Sequence, residues 1–372
     1  MNRAFKFRLY PTTEQKILFA KTFGCCRKVY NLMLADKIAY YEETGKKLSC
    51  TPAQYKENYP FLKEVDSLAL ANTQLHLQAA YNNFFRDKSA GFPKFKSKRK
   101  AKKSYTTNNQ KGSIAVTENA VKLPKIGFVK AVIHRKAPED WVIKSATVSQ
   151  EADGSYYVSV LYEYDDTVAV SVDESKSIGL DYKSNGLYAD SKGNVADMPH
   201  FYRKAQKSLT RQQRKLSKKV GNKKNEKKSN NYFKQQRRVN RIHRKIANQR
   251  KDYLHKLSAE ITNQYDIICV EDLDMRALSN KGFGNGKATM DNGYGMFLRF
   301  VEYKQHDKGH VFIKVDKFYP SSQLCSCCGH RQKLELSDRV YVCPSCGLVI
   351  DRDTNAAINI ETEGLRIYRE VA

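Results

Sequence analysis

Residues 3–10 (RAFKFRLY) alternate basic and apolar side chains, the period of a half-buried strand. Pro11 to Gln15 then reads as a turn and helix start, with Thr12 and Gln15 spaced as a capping box. Leu18, Thr22, Cys25, Val29 and Leu32 recur every three or four residues, which predicts a helix to about Lys37 and a shorter helical stretch near Lys37–Tyr41. A second helix is expected from Leu68 to about Phe85, with Leu68, Ala71, Leu75 and Ala79 as its apolar face. Gly91-Phe92-Pro93 ends this helical bundle. From Ser113 to Val168, short alternating runs are broken by Pro124, Gly127, Pro138 and Gly154, the pattern of a small antiparallel barrel that the opening strand joins.

The pattern changes after a polar linker at Asp165–Ser177. Ile178-Gly179-Leu180-Asp181 is an apolar run closed by an acid, and Leu187–Asp190 returns as the second strand of a hairpin. Asp266–Glu271 and His310–Val315 read as buried strands, the first again ending in a carboxylate. Between them, residues 279–297 carry five glycines that do not match a phosphate-binding loop, so a mobile lid is expected there.

Charge adds the first functional constraint. The chain has 372 residues, with 66 Lys and Arg against 39 Asp and Glu, a net charge of +27. Such an excess at ordinary hydrophobic content points to a polyanionic partner. A mean hydropathy of −0.66 and the lack of an apolar run near eighteen residues argue against a membrane span. The start, MNRAFKFRLY, lacks an apolar signal region, and a cytoplasmic setting is expected. Residues 201–260 hold 21 basic residues and three acids, a net +18. Two long helices separated by the Gly221–Asn231 loop are expected, each with one packed and one cationic face. Arg211, Arg214, Arg237, Arg238, Arg241 and Arg244 are the candidate phosphate contacts. A second basic run at 93–103 (PKFKSKRKAKK) reads either as a solvated stretch or as a phosphate clamp through Lys94, Lys96, Lys98 and Arg99. Thr107, Asn108 and Asn109 follow it and can read base edges, helped by Gln74 or Gln78, or can make ordinary turns.

Cysteine spacing adds a metal site. Cys325 and Cys328 form one C-x-x-C pair and Cys343 and Cys346 a second, each beside turn residues (Gly329; Pro344 to Gly347). Four thiolates in two such knuckles suit tetrahedral, structural Zn²⁺ with no position open to water; two disulfides or unrelated core cysteines are the alternative. Cys327 reads as a bystander, and the other four cysteines show no disulfide framework, which fits reduced thiols. Directly after the knuckles comes DRDTNAA, in which Asp353 opens a small-residue helix; alone, that pattern is an N-cap.

Asp181, Glu271 and Asp353 thus stand at two strand ends and one helix start. If the strands are neighbours, the three carboxylates can converge and hold two Mg²⁺ for phosphodiester hydrolysis. Asp190, Asp274, Asp316 and Asp351 read as turn or helix-start acids. At these residues the chain resembles the transposon-encoded TnpB proteins, compact relatives of type V CRISPR effectors. The resemblance rests on Asp181, the VEDL run at Val270–Leu273, the CSCCG and CPSCG knuckles and the DRDTNAAINI tail, and extends to FKFRLYPT, GCCRKVYN, PKFKSK and YTTNN.

What the resemblance implies is a mixed α/β and α+β multidomain protein: an RNase H-like (RuvC) nuclease domain with a zinc-ribbon insert, a small antiparallel wedge barrel and a helical recognition bundle. The implied boundaries are 1–10 for the first barrel strand, 11–103 for the bundle and 104–172 for the barrel. They continue with 173–320 for the nuclease domain, 321–348 for the zinc ribbon and 349–372 for its last helix. The implied activity is Mg²⁺-dependent cutting of double-stranded DNA at a site paired to a guide RNA derived from the transposon end, with Asp181, Glu271 and Asp353 as catalytic acids. A guide-directed repressor or a transposition accessory factor that does not cut is the competing reading, and the oligomeric state is left open. One position departs from the family: where many members have glycine two residues after the first acid, this chain has Lys183.

Overall fold

In the computed structural model, which describes residues 1–87, 89–165, 171–220, 228–280, 286–335 and 338–371, the opening alternation forms strand β1 (Asn2–Leu9). Phe5, Phe7 and Leu9 are buried on one face. The chain divides into two units, Met1–Asp166 and Thr167–Ala372. In the first, β1 lies inside a seven-stranded antiparallel sheet of order β2-β6-β7-β1-β5-β4-β3. The other strands are β2 (Lys103–Asn108), β3 (Ala115–Val116), β4 (Ala120–Leu123), β5 (Gly127–Val132), β6 (Val142–Gln150) and β7 (Tyr156–Glu163). The first strand in sequence therefore needs partners more than 120 residues away, which local pattern cannot name: Phe5 pairs Val160 and Leu9 pairs Ala131.

Helix α1 runs without a break from Thr13 to Thr44, with the Thr12/Gln15 capping box formed at its start. The expected stop at Lys37 is corrected: no glycine or proline lies between Lys37 and Gly45, which ends the helix in the left-handed conformation. Helix α2 spans Ser67–Arg86, but its buried face is Ala69, Leu70, Asn72, Thr73 and Leu77. Leu75, placed inward by periodicity, is 60% exposed. Two polar residues hide the true face: Asn72 Nδ2 and Thr73 Oγ1 donate to the Leu68 and Ala69 carbonyls, so each is buried with its hydrogen bond satisfied. Both helices share one core with the sheet, where Phe19 stacks on Tyr156 and Phe23 meets Tyr105.

The second unit is built on a five-stranded sheet of order β10-β9-β8-β11-β12. Its strands are β8 (Ser177–Tyr182), β9 (Tyr188–Asp190), β10 (Val195–Ala196), β11 (Ile267–Glu271) and β12 (Val311–Val315). β8, β11 and β12 are parallel neighbours, while β8, β9 and β10 form an antiparallel meander. β8 and β11 are buried on both faces along most of their length and so read as continuous apolar runs. The basic stretch forms α3 (Phe201–Ser217) and α4 (Asn230–Gln264), followed by a short α5 (Met275–Leu278).

The glycine-rich stretch is not the loop expected from its composition. Gly286–Asn292 is α6 and Tyr294–Asp307 is α7, while 281–285 lie outside the described residues. Gly293 joins these helices at φ +69°, with α4 so close that an added Cβ would sit 3.0 Å from Arg250. A two-stranded ribbon, β13 (Val340–Val342) and β14 (Val349–Asp351), precedes the last helix, α8 (Arg352–Val371). Among the described residues no helix is long and apolar enough to cross a membrane.

Candidate active site and metal centre

The parallel pairing of β8 with β11 puts their C-terminal ends side by side, and with them Asp181 and Glu271. The third acid arrives through close packing of α8 on β8. At Gly179, an added Cβ would lie 2.0 Å from the Ala357 carbonyl oxygen and 2.7 Å from the Glu361 nitrogen, both helix backbone. At Gly364, on the helix side, it would lie 2.3 Å from Cys269 Sγ of β11. Glycine at these two points lets α8 approach the sheet closely enough for its first turn to bring Asp353 beside Asp181. Gly179→Ala is therefore expected to force helix and sheet apart at a cost of about 3 kcal/mol or more. Thermal unfolding should show a drop of at least about 5 °C in the second unit. An unchanged melting temperature would show that α8 is not locked against β8.

Asp181 feels both of the other acids. Burial, with the negative charges of Asp353 and Glu271, pushes the Asp181 carboxyl up to about 8. Burial raises Glu271 to about 7. Tyr294 of α7 is fully buried; its hydroxyl has no hydrogen-bond partner among the described residues and senses the charges of both Asp181 and Glu271. Asp353 is paired with Lys183, whose Nζ lies 2.9 Å from its Oδ2. Oxygen donors of this kind suit a hard divalent cation, and the raised carboxyls mark a site short of positive charge. The acids are more widely spread than the cysteines: among the described residues, only the four-cysteine set brings three or more ligand atoms within 4.8 Å of one another.

The acids read as structural are occupied as such. Asp351 Oδ1 accepts from the Thr354 backbone N–H at 3.0 Å and so caps α8, leaving Asp353 free to face the sheet. Asp274 caps α5, Asp190 accepts from the turn amides of Lys192 and Asn194, and Asp316 accepts from the Phe318 amide.

Cys325, Cys328, Cys343 and Cys346 form a cluster that could hold a metal ion. Their sulfurs all lie within 4.8 Å, with Cys325–Cys346 and Cys328–Cys343 at 3.6 Å. Tetrahedral Zn²⁺ with Zn–S of about 2.3 Å has edges of about 3.8 Å, so the donor set fits zinc. The pairs that approach most closely join opposite knuckles at thiol rather than disulfide distance, and Cys327 stays outside the group. Gly329 and Gly347, at φ +73° and +75°, close the two knuckles with amides that donate to the Cys325 and Cys343 carbonyls.

Two asparagines of α8 tie this centre to the carboxylates. Asn355 Nδ2 donates to the Leu324 carbonyl at 2.7 Å while its Oδ1 accepts from Ser326 N–H at 3.0 Å. Asn359 Nδ2 donates to the Ser321 and Leu324 carbonyls, both at 2.8 Å. Both are buried, and they stand four residues apart on one helix face. The NAAIN spacing carried that signal, which the sequence reading did not use. Lys183 stood out only through the resemblance, and Tyr294 carries no local signal.

The basic surface is unevenly available. Arg211 and Arg214 line an open groove of about 800 Å³ on α3 together with Arg203, Lys207, Lys215 and Lys218. Arg237, Arg238 and Arg241 are exposed on α4, and Arg244 is half-buried. Part of the Gly221–Asn231 loop, 221–227, lies outside the described residues. In the first unit, Lys94, Lys98 and Arg99 are exposed. Lys96 is corrected: its ammonium sits 3.7 Å over the Tyr30 ring, and its backbone exchanges two hydrogen bonds with the Asn31 side chain. Thr107 and Asn109 are corrected as base readers. Thr107 is fully buried with its hydroxyl donating to Asp66, and Asn109 bonds the Ile143 carbonyl and the Ile114 amide. Asn108 is exposed, as is Gln78, while Gln74 is half-buried.

Known proteins match the chain over most of its length. Residues 294–360 match the family model described as "Cas12f1-like, TNB domain", 159–281 the one described as "Probable transposase", and 1–46 one described as "Helix-turn-helix domain". Here the last region is a strand and a single long helix. A Streptomyces pristinaespiralis protein named "Putative RNA-guided DNA endonuclease" is 33% identical over 98% of this chain and 90% of its own. The Escherichia coli K12 protein named "Putative RNA-guided DNA endonuclease InsQ" is 32% identical over 97% and 92%. A mimivirus protein named "TnpB-like protein L79" is 33% identical over 35% of this chain and 26% of its own. The Cas12f1 chain solved in a Cas12f1-sgRNA-target DNA complex superimposes with a TM-score of 0.63 at 15% identity, covering 97% of this chain and 98% of that one, which shows a shared fold. With end-to-end identity above 30% to relatives of nearly the same length, this chain belongs to the TnpB family.

Proposed function

We propose that the chain is an RNA-guided endonuclease of an insertion element that cuts double-stranded DNA, with the second unit as a RuvC-type nuclease domain. The observation that carries this reading is the electrostatic meeting of Asp181, Glu271 and Asp353, drawn from β8, β11 and α8. The names of the full-length relatives supply the substrates, guide RNA and target DNA. In this reading the antiparallel sheet of the first unit is the wedge and α1 with α2 the recognition helices. The cysteine cluster is a structural zinc ribbon.

The three carboxylates would hold Mg²⁺. When bound there, such ions polarise the scissile phosphate, activate the attacking water and neutralise the leaving oxygen. The chain's own contribution is placement. The sheet fixes Asp181 and Glu271, the glycine contact fixes α8, and the Asp351 cap orients the turn that carries Asp353. Burial and the charges of Asp181 and Glu271 keep the Tyr294 hydroxyl protonated. The exposed arginines of α3 and α4 and Lys94, Lys98 and Arg99 hold backbone phosphates without reading sequence.

The test is to purify the chain from its host, sequence any RNA bound to it, and offer duplex DNA matching the 3′ or 5′ end of that RNA. A discrete RNA and Mg²⁺-dependent cutting of the matching duplex alone are expected. Recovery of no discrete RNA would remove the guide from the reading, and binding without cutting would favour a repressor.

A further inference from the structure

Lys183 has a specific place in the structure, beside Asp353. It follows β8 directly, two residues after Asp181, and its backbone is fixed at the mouth of the β8–β9 hairpin. Lys183 N–H donates to the Leu187 carbonyl at 3.2 Å, and Gly186 N–H donates to the Lys183 carbonyl at 3.2 Å. The next residue is tied to α6, where Asn292 Nδ2 donates to the Ser184 carbonyl at 2.8 Å. The backbone therefore cannot carry the ammonium away; only the four-carbon side chain can. Its Nζ lies 2.9 Å from Asp353 Oδ2, and the two side chains are 29% and 20% exposed. Asp351 adds attraction and Arg339 repulsion at the same ammonium.

We propose that Lys183 is a positioning residue that serves as an internal counter-ion of Asp353, which a divalent cation must displace before the carboxylate can become a ligand. The proposal rests on the reading of Asp353 as a metal ligand. Asp353 Oδ2 cannot give its full charge to an ammonium and to a metal ion at once, and the two cations repel each other at this range. A flexible lysine can withdraw when a metal ion arrives, so the pair works as a threshold: at low divalent concentration the carboxylate stays with Lys183. A glycine at this position leaves Asp353 without that competitor.

The experiment titrates the zinc-loaded, full-length chain with Mn²⁺ in the absence of nucleic acid, counting free Mn²⁺ by electron paramagnetic resonance. Lys183→Met keeps the side-chain volume and removes the charge; Lys183→Gly removes both. Each is expected to bind Mn²⁺ about tenfold more tightly than the unaltered chain. Lys183→Arg, which keeps the charge, is expected to stay within about twofold of it. Asp353→Ala is expected to lose this binding. If the Met and Gly variants bind no tighter, or more weakly, while Asp353→Ala still loses binding, the inference fails and the carboxylate site stands. If Lys183→Arg tightens as much as Lys183→Met, charge is not the cause and the inference also fails. If Asp353→Ala binds Mn²⁺ like the unaltered chain, the underlying reading of the site is wrong.

Discussion

Alanine at Asp181, Glu271 or Asp353 is expected to lower guide-directed cleavage by at least about a thousandfold, and the triple variant to be hardly worse than any single one. The reason is that the carboxylates act as one unit: removing one leaves the other two unable to hold the charge that the reaction needs. RNA binding should be retained, because acids contribute no attraction to phosphate. Asp351→Ala is the internal control. It removes a helix cap, a loss of about 1 kcal/mol, while cleavage persists. Single-turnover cleavage measured beside RNA retention on a gel separates the two effects. Cutting by all three single variants would take the nuclease out of this unit, and loss at Asp351 with retention at Asp353 would exchange their roles.

The same site makes stability depend on pH in a definite direction. The folded carboxyls of Asp181 and Glu271 are raised to about 8 and about 7. Between the usual carboxylate range and those values the folded chain holds more protons than the unfolded one, so these groups lose stabilisation as pH rises. A divalent cation offsets the crowded negative charge only once the protons leave. The rise in melting temperature on adding Mg²⁺ should therefore be larger at pH 8 than at pH 6. An equal rise at both would place metal binding elsewhere.

Cys346→Ser is expected to lose the zinc, unfold the ribbon and lower cleavage by at least about a hundredfold. Structural zinc contributes about 10–16 kcal/mol of apparent binding energy in small domains, far more than a segment of this size gains from packing alone. Its local core is Tyr341 with Cys325 and Cys343, plus a few half-buried apolar side chains. The damage reaches the active site through Asn355 and Asn359. Their partners, the Ser321 and Leu324 carbonyls and the Ser326 amide, belong to the first knuckle and its approach. When the knuckle unfolds, both buried side chains lose partners and the start of α8 loosens, carrying Asp353 with it. Elemental analysis for zinc together with cleavage rate tests the link. Cys327→Ser, outside the cluster, should change neither. A Cys346→Ser protein with a full equivalent of zinc and normal cleavage would refute the assignment.

The local pattern alone determined the features that depend on short range. Strand ends at Asp181 and Glu271, the knuckle spacing, the Thr12 capping box and the two cationic helices all follow from residues a few positions apart. Each proposed ligand could be named because its chemistry and its local turn are written together. Tertiary structure decided the rest. The buried face of α2 carries Asn72 and Thr73, whose polarity is cancelled by bonds to their own helix, so hydropathy pointed to the opposite side. Thr107 and Asn109 looked free until partners at Asp66 and Ile143 consumed them. The meeting of Asp353 with Asp181 depends on a glycine contact between β8 and α8, and the pairing with Lys183 on a hairpin folded back beside it. Those contacts join residues about 170 or more positions apart. Their energies arise only when both surfaces are already in place, and no periodicity along the chain records them.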